Sequence, residues 1–210
     1  MCYNPEVSIG TFLFVSICCA YMWMRNHKLD RGLVIMFMAI VLMQLLEFFM
    51  WFEVDTCSDT NLFLSQLVPY ALWIQPILFL FAAWQFNIGW AVGYRELFFL
   101  CVALVPLLMW YQTLMKPECV ITGKNGHLIW SGTMENIVNT TETIPLLIHI
   151  LYIIVTNYVI FTIRNIPLAL LLGLTSMFFC LHAYYQSKEE WPSVYCHTIN
   201  ALVIFAILLN

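Results

Sequence analysis

The sequence predicts an all-α integral membrane protein, with residues 1–210 forming one bundle of seven transmembrane helices. Of its 210 residues, 62% are hydrophobic and only 10% are charged, whereas an ordinary soluble domain carries about 25% charged residues. The mean hydropathy is +0.85. Apolar segments of the roughly 20 residues that a spanning helix needs recur along the whole chain. We therefore expect a multi-pass protein whose main partner is the lipid bilayer.

The apolar segments can be placed in order along the chain. Proline lies at or near the start of the last three, where its missing N–H costs little. Pro69, Pro76 and Pro106 fall inside segments, which predicts kinks in the third and fourth helices. The seven predicted segments are Val7–Met24, Gly32–Phe52, Leu62–Phe86, Leu97–Met115, Ile144–Ile163, Ile166–Tyr185 and Pro192–Leu209.

The distribution of arginine predicts the orientation in the membrane. All four arginines belong to the connections after the first, third and fifth segments, and most acidic residues belong to the other connections. Positive charge accumulates on the cytoplasmic side, so we expect the N-terminus outside and the C-terminus inside. No cleavable signal peptide is expected, because the positive charges follow the first apolar segment.

The longest connection, Lys116–Thr143, is predicted to lie outside. Its stretch Cys119–Trp130 alternates around Gly123–Gly126, which is typical of a short β-hairpin. Asn139 begins a glycosylation sequon.

Two of the eight cysteines, Cys57 and Cys119, lie in outer connections. On an oxidising face they would form a disulfide, and the alternative is a pair of free loop thiols.

Glu47 is the only formally charged side chain inside any of the apolar segments. Helical spacing places Gln44, Glu47 and Trp51 on one face. A carboxylate in hydrocarbon costs several kcal/mol unless it is protonated, paired or facing a wet cavity. We therefore expect Glu47 to face the bundle interior and to hydrogen-bond the N-terminal segment or the seventh helix. An outward-facing polar pocket around it is the predicted site.

Histidines and thiols fall in the same outer third as Glu47. A metal site is one interpretation, with His149, His182 and His197 as candidate ligands. The other interpretation places these histidines at the membrane interface, and no zinc-type spacing such as HExxH or CxxC is present. No cofactor is predicted. Retinal is excluded because all four lysines lie in connections, and nucleic acid because the net charge is −4.

Short motifs near both ends and in the second segment form a recognisable pattern. They are Met1-Cys2-Tyr3 with Ser8, Gln44-x-x-Glu47-x-x-x-Trp51, and Ser193-Val194-Tyr195-Cys196. With Trp73, Pro76 and Gly126-His127 at matching places, the chain resembles an uncharacterised seven-helix membrane-protein family of bacteria and large DNA viruses. The resemblance implies the fold and points to Cys2, Glu47, Trp51, His127 and Cys196, but it implies no established activity. Because Cys2 and Cys196 both belong to these motifs and lie near the outer surface, we expect them to approach each other, as a disulfide or as paired polar ligands. The chain departs from the bacterial pattern at His197 and Phe48.

These observations predict binding or transport of a small molecule, ion or proton. An intramembrane thiol- or metal-dependent enzyme is one alternative, and a structural membrane protein of a large DNA virus is another. If the chain is viral, its membrane is that of the host or the virion interior. Whether the protein forms a homo-oligomer is left open. The candidate binding residues are Gln44, Glu47, Trp51, His127, Ser193 and Cys196, and the candidate catalytic residues are Glu47, Cys2 and Cys196.

Overall fold

The computed structural model describes residues 4–107, 109, 118–130, 143–186 and 190–210, and for 143–150 it describes only the backbone. This part of the chain contains eight helices and one two-stranded sheet. The helices are α1 Pro5–Arg25, α2 Asp30–Met50, α3 Asp59–Gln85, α4 Tyr94–Ala103, α5 Thr143–Phe161, α6 Ile166–Gln186, α7 Trp191–Ile199 and α8 Leu202–Leu209.

Five helical segments are long and apolar enough to cross a membrane: α1, α2, α3, α6 and the combined segment Trp191–Leu209. The prediction of a helical membrane protein is therefore confirmed. Much of the fourth predicted segment, and the side chains that begin the fifth, lie outside the described residues. The sequon at Asn139 lies outside them as well.

Helix α2 lies at the centre of the bundle. It packs against α1, α3 and α7. In its most apolar stretch 61% of the residues are buried, compared with 22% in the corresponding stretch of α1. A helix that is apolar on all sides is expected in such a position. Large apolar side chains of α1 and α6 point outward instead, among them Ile17, Met24 and Leu181. These exposed apolar surfaces are suited to contact with lipid tails.

One end of the bundle, which we call the arginine end, is held by a buried ion pair. Arg25 donates to both carboxylate oxygens of the fully buried Asp30, at 2.7 and 3.0 Å. Asn210 also donates to Asp30, at 2.8 Å, and Arg164 donates to the carbonyl of Gly89 at 3.0 Å. The contacts of Asp30 join the α1–α2 turn to the end of α8, and the contact of Arg164 joins the α5–α6 turn to the α3–α4 turn.

The opposite end, which we call the hairpin end, carries the two strands. β1 Ile121–Thr122 pairs antiparallel with β2 Leu128–Ile129, as the alternating pattern predicts. Gly126 in the turn has a φ of +77°, which glycine adopts without steric cost. Asn61 fastens the hairpin to α3, because its amide donates to the carbonyl of Val120 at 3.0 Å and accepts from the amide of Val120 at 2.8 Å.

The predicted disulfide between Cys57 and Cys119 is present, with Cα atoms 5.3 Å apart. It joins the α2–α3 connection to the strand that begins the hairpin. The hairpin is thus held covalently as well as by hydrogen bonds.

The last predicted helix, Pro192–Leu209, is interrupted in the structure. Helix α7 ends at Ile199 and α8 begins at Leu202. The side chain of Asn200 donates to the carbonyl of Cys196 at 2.6 Å, while the Asn200 backbone amide bonds to His197, three residues back, at 3.2 Å. An asparagine side chain that competes for helix carbonyls and a tighter turn of this kind account for the break.

We expect loss of the disulfide to destabilise the fold. The bridge spans 62 residues of sequence, and closing a loop of that size contributes roughly 4 kcal/mol in the chain-entropy model. Thermal unfolding in detergent should therefore occur at lower temperature for Cys57→Ser. Cys180→Ser, which removes a thiol outside the bridge, is the control. A reductant that lowers the unfolding temperature of Cys57→Ser as much as that of the native protein would contradict this role.

Candidate functional site

Two polar side chains of α2, Gln44 and Glu47, form the centre of the site. Both are fully buried. The amide nitrogen of Gln44 donates to Glu47 Oε2 at 2.8 Å, as expected for residues three apart on one helical face. Glu47 therefore lies in the bundle interior, with its neighbour on α2 as a direct hydrogen-bond partner.

The other side of the Gln44 amide faces α7 and, through it, α1. Gln44 Oε1 lies 3.4 Å from His197 Nδ1, and the same nitrogen lies 3.3 Å from the hydroxyl oxygen of Thr11. A line of polar contacts thus runs Glu47–Gln44–His197–Thr11 and connects α2, α7 and α1. This link from Glu47 to the seventh segment is indirect, and the predicted direct hydrogen bond from Glu47 to the N-terminal segment or the seventh helix stays a prediction.

A second polar layer lies one turn nearer the hairpin end. Ser8 precedes Thr11 by three residues and Ser193 precedes His197 by four, so each shares a helical face with its partner in the line. Both serines are fully buried, and neither hydroxyl has a hydrogen-bond partner among the described residues. An unsatisfied buried polar group costs about 1–3 kcal/mol. Any further partner of these two hydroxyls therefore lies outside the described residues or is a bound molecule.

The hairpin covers this end of the site. Val120, Leu128 and Trp130 of the hairpin segment belong to one buried apolar cluster with Met43 and Met50 of α2. These methionines lie one turn on either side of Glu47. Cys196 of α7 joins the same cluster and interacts electrostatically with Glu47.

His127 of the hairpin and the carboxylate of Glu190 interact in the buried region under the hairpin. His127 is only 4% exposed and Glu190 only 1%. Burial lowers the pKa of His127 below its ordinary value, although the charge of Glu190 opposes that shift. Glu190 Oε1 accepts from the amide of Asn125 at 2.9 Å. A Cβ atom at Gly123 would lie 2.2 Å from the same oxygen, so glycine is what allows this approach.

The comparisons with known proteins add no relative to this geometry. No family model, curated protein or solved structure matches the chain. The resemblance to the seven-helix family of bacteria and viruses stays a prediction, and the site must be interpreted from its own chemistry.

The structure brings together Gln44, Glu47, Ser193, Cys196 and His197, all of which the sequence singles out. Their role in binding or catalysis stays a prediction. The indole of Trp51 packs at the edge of the apolar cluster. Its nitrogen is buried without a hydrogen-bond partner in the described part of the chain.

The other candidates are placed differently. Cys2 lies outside the described residues, as does the side chain of His149, so the predicted approach of Cys2 to Cys196 is not described. His182 is exposed and stacks on Phe178. Within the described ranges, no group of three His, Cys, Asp or Glu side chains could hold a metal ion. The metal site stays a prediction.

Sequence reasoning missed two residues of the site, Thr11 and Glu190. A threonine in an apolar helix is common, and only the packing of α1 against α7 shows its contact with His197. Glu190 lies just before α7 and looks like a solvated loop residue. No sequence signal marks Glu190, because its contact with Gly123 is visible only in three dimensions.

We expect acid to loosen the hairpin. Because the folded pKa of His127 is depressed below about 6.5, the unfolded hairpin binds more protons. Its stability is therefore full above roughly pH 6.5 and falls as the pH drops toward the folded pKa. Hydrogen-exchange protection factors of residues 118–130 should decrease on acidification through that range. His127→Asn should reduce this dependence and His182→Asn, on the exposed face of α6, should preserve it; an unchanged dependence in His127→Asn would contradict the assignment.

Proposed function

We propose that the chain is a multi-pass membrane protein with seven spans, oriented with its hairpin end outside. The five apolar helices supply most of these spans. The contacts of the arginine end support the cytoplasmic assignment of that end by the positive-inside rule. The disulfide at the opposite end suits an oxidising compartment.

The function that we propose is binding of a proton or small polar solute at Glu47, with access from the hairpin end. The observation that carries this proposal is the line of polar contacts that runs from the fully buried Glu47 and Gln44 to the half-buried His197 and Thr11. An ionisable residue within a membrane is expensive to bury and is commonly kept for function. Of these ligands we commit to the proton, because one acid in contact with a hydrogen-bonded line is sufficient to take it up.

The surroundings of the site favour access from one side. Toward the arginine end, the bundle interior consists of a second, larger cluster of buried apolar side chains, which includes Leu33, Phe37 and Leu80. An apolar cavity lies in this region, lined by Met36, Ile40, Phe79, Ile160, Leu172 and Ile199 among others. A proton or ion gains nothing there. The hairpin end, with its two buried serines, offers polar partners instead.

The proposed orientation predicts which lysine can be modified from outside. Lys124 lies exposed in the hairpin turn and Lys28 lies exposed at the arginine end. A membrane-impermeant amine reagent applied to intact cells should modify Lys124, and it should reach Lys28 only after the membrane is permeabilised. Mass spectrometry of the digested protein reads both sites in one sample. Labelling of Lys28 alone in intact cells would reverse the orientation.

The proposed proton binding predicts an infrared signature that depends on Glu47. In protein reconstituted into liposomes, lowering the external pH should produce the carbonyl band of a protonated carboxyl group. Glu47→Gln should lose that band, because the amide cannot take up the proton. Glu6→Gln makes the same change at an exposed position of α1 and should retain it.

Two outcomes would contradict the proposal. One is a band that persists unchanged in Glu47→Gln. The other is a Glu47 band that responds only to the internal pH, which would place access at the arginine end. A dye that reports pH inside the liposomes would separate binding from transport, since only transport changes the internal pH.

A further inference from the structure

We infer that Gln44 couples the protonation of Glu47 to the tautomer of His197. This inference deepens the proposed function, because it assigns what proton binding at Glu47 changes elsewhere in the bundle. Gln44 is the only described side chain that bridges the two, donating to Glu47 Oε2 at 2.8 Å and presenting its carbonyl oxygen to His197 Nδ1 at 3.4 Å. It acts as a positioning residue.

The two ends of a primary amide have different hydrogen-bonding roles. One end only donates and the other only accepts. An ionised carboxylate only accepts, so it holds the NH₂ group of Gln44 toward Glu47. The carbonyl oxygen of Gln44 must then face His197. The ring nitrogen that it faces, Nδ1, is best placed to carry the proton, because two acceptors in contact would repel each other.

Protonation of Glu47 removes this constraint. A neutral carboxyl group can donate its own O–H to the carbonyl oxygen of Gln44, which favours the reversed amide orientation with the NH₂ group toward His197. His197 Nδ1 then accepts and its proton moves to Nε2. Two bond changes balance this step. Glu47 gains an O–H bond with the proton that it binds, and the imidazole stays neutral because it loses one proton at Nδ1 and gains one at Nε2.

Thr11 makes both states of His197 accessible. Its hydroxyl oxygen lies 3.3 Å from the same Nδ1, and a hydroxyl can either donate or accept. It accepts when Nδ1 carries the proton and donates when Nδ1 is bare. Thr11 therefore does not select a tautomer, and the selection is left to Gln44.

Other titratable groups act on the two ends of this line. Cys196, on the same helix as His197, interacts with Glu47. His127, in the hairpin, acts on His197 through space. The coupling through Gln44 must therefore be separated from direct electrostatic effects of Glu47 on His197. Substitution of Gln44 at constant pH separates the two.

The test measures the His197 tautomer from ring-nitrogen chemical shifts of isotope-labelled histidine, with the His197 signals assigned by their loss in His197→Asn. At a pH where Glu47 is ionised, the native protein should show a proton on Nδ1. Glu47→Gln should lower the Nδ1–H to Nε2–H ratio by about tenfold, which corresponds to the loss of charge assistance in one hydrogen bond. Glu6→Gln, the exposed counterpart, should leave the ratio unchanged.

Gln44→Met keeps the length of the side chain but has neither an amide donor nor a carbonyl acceptor. In that background, Glu47→Gln should change the ratio by less than about twofold, because the two ends are no longer coupled. An unchanged ratio in Glu47→Gln with native Gln44 overturns the inference. The same tenfold change with Met at position 44 also overturns it, since the effect would then be a direct field effect.

If Gln44→Met does not fold, an unchanged ratio in Glu47→Gln with native Gln44 still overturns the inference. The infrared titration keeps this inference separate from the proposed function. If Glu47 titrates from the hairpin end but the His197 ratio does not respond, the coupling is wrong and proton binding stands. If the ratio responds but Glu47 does not titrate from that end, the proposed access is wrong and the coupling stands.

Discussion

The burial of Glu47 is the constraint on which the organisation of the hairpin end depends. A carboxyl group with no exposed surface must be surrounded by groups that hydrogen-bond it, because hydrocarbon offers no compensation. Gln44 meets part of that need within α2. By doing so, it turns its own carbonyl oxygen toward α7, and the polar contacts with His197 and Thr11 follow.

The two ends of the bundle use buried charge in different ways. At the arginine end, Asp30 is matched by Arg25 and receives further hydrogen bonds, so its charge is compensated and it fastens the helix termini together. At the hairpin end, Glu47 contacts a neutral amide, and two serine hydroxyls nearby lack partners among the described residues. The first arrangement therefore pairs opposite charges, whereas the second surrounds a carboxyl group with neutral polar groups.

The hairpin segment is the part of the fold that covers the site at its own end of the bundle. It packs apolar side chains over the methionines that flank Glu47, and it is held by the Cys57–Cys119 bridge and by Asn61. Its own buried histidine, His127, lies beside Glu190, just before α7. The hairpin segment therefore contacts α2, α3 and the start of α7, so that a change in its packing affects each of these helices.

The sequence by itself determined the membrane class, the approximate limits of most helices and the hairpin, and it offered the disulfide as one of two alternatives. Those features depend on local composition, on periodicity and on which loops share one side of a bilayer, all of which can be counted along a chain. It also singled out Glu47, because a lone acid in an apolar run is visible without coordinates. Only the tertiary structure decided that Gln44 links it to His197, that Thr11 of α1 joins them, and that Glu190 closes on Gly123. Such contacts depend on the rotation and depth of each helix relative to its neighbours, and in a chain that is apolar on nearly every face the hydrophobic pattern does not specify that rotation.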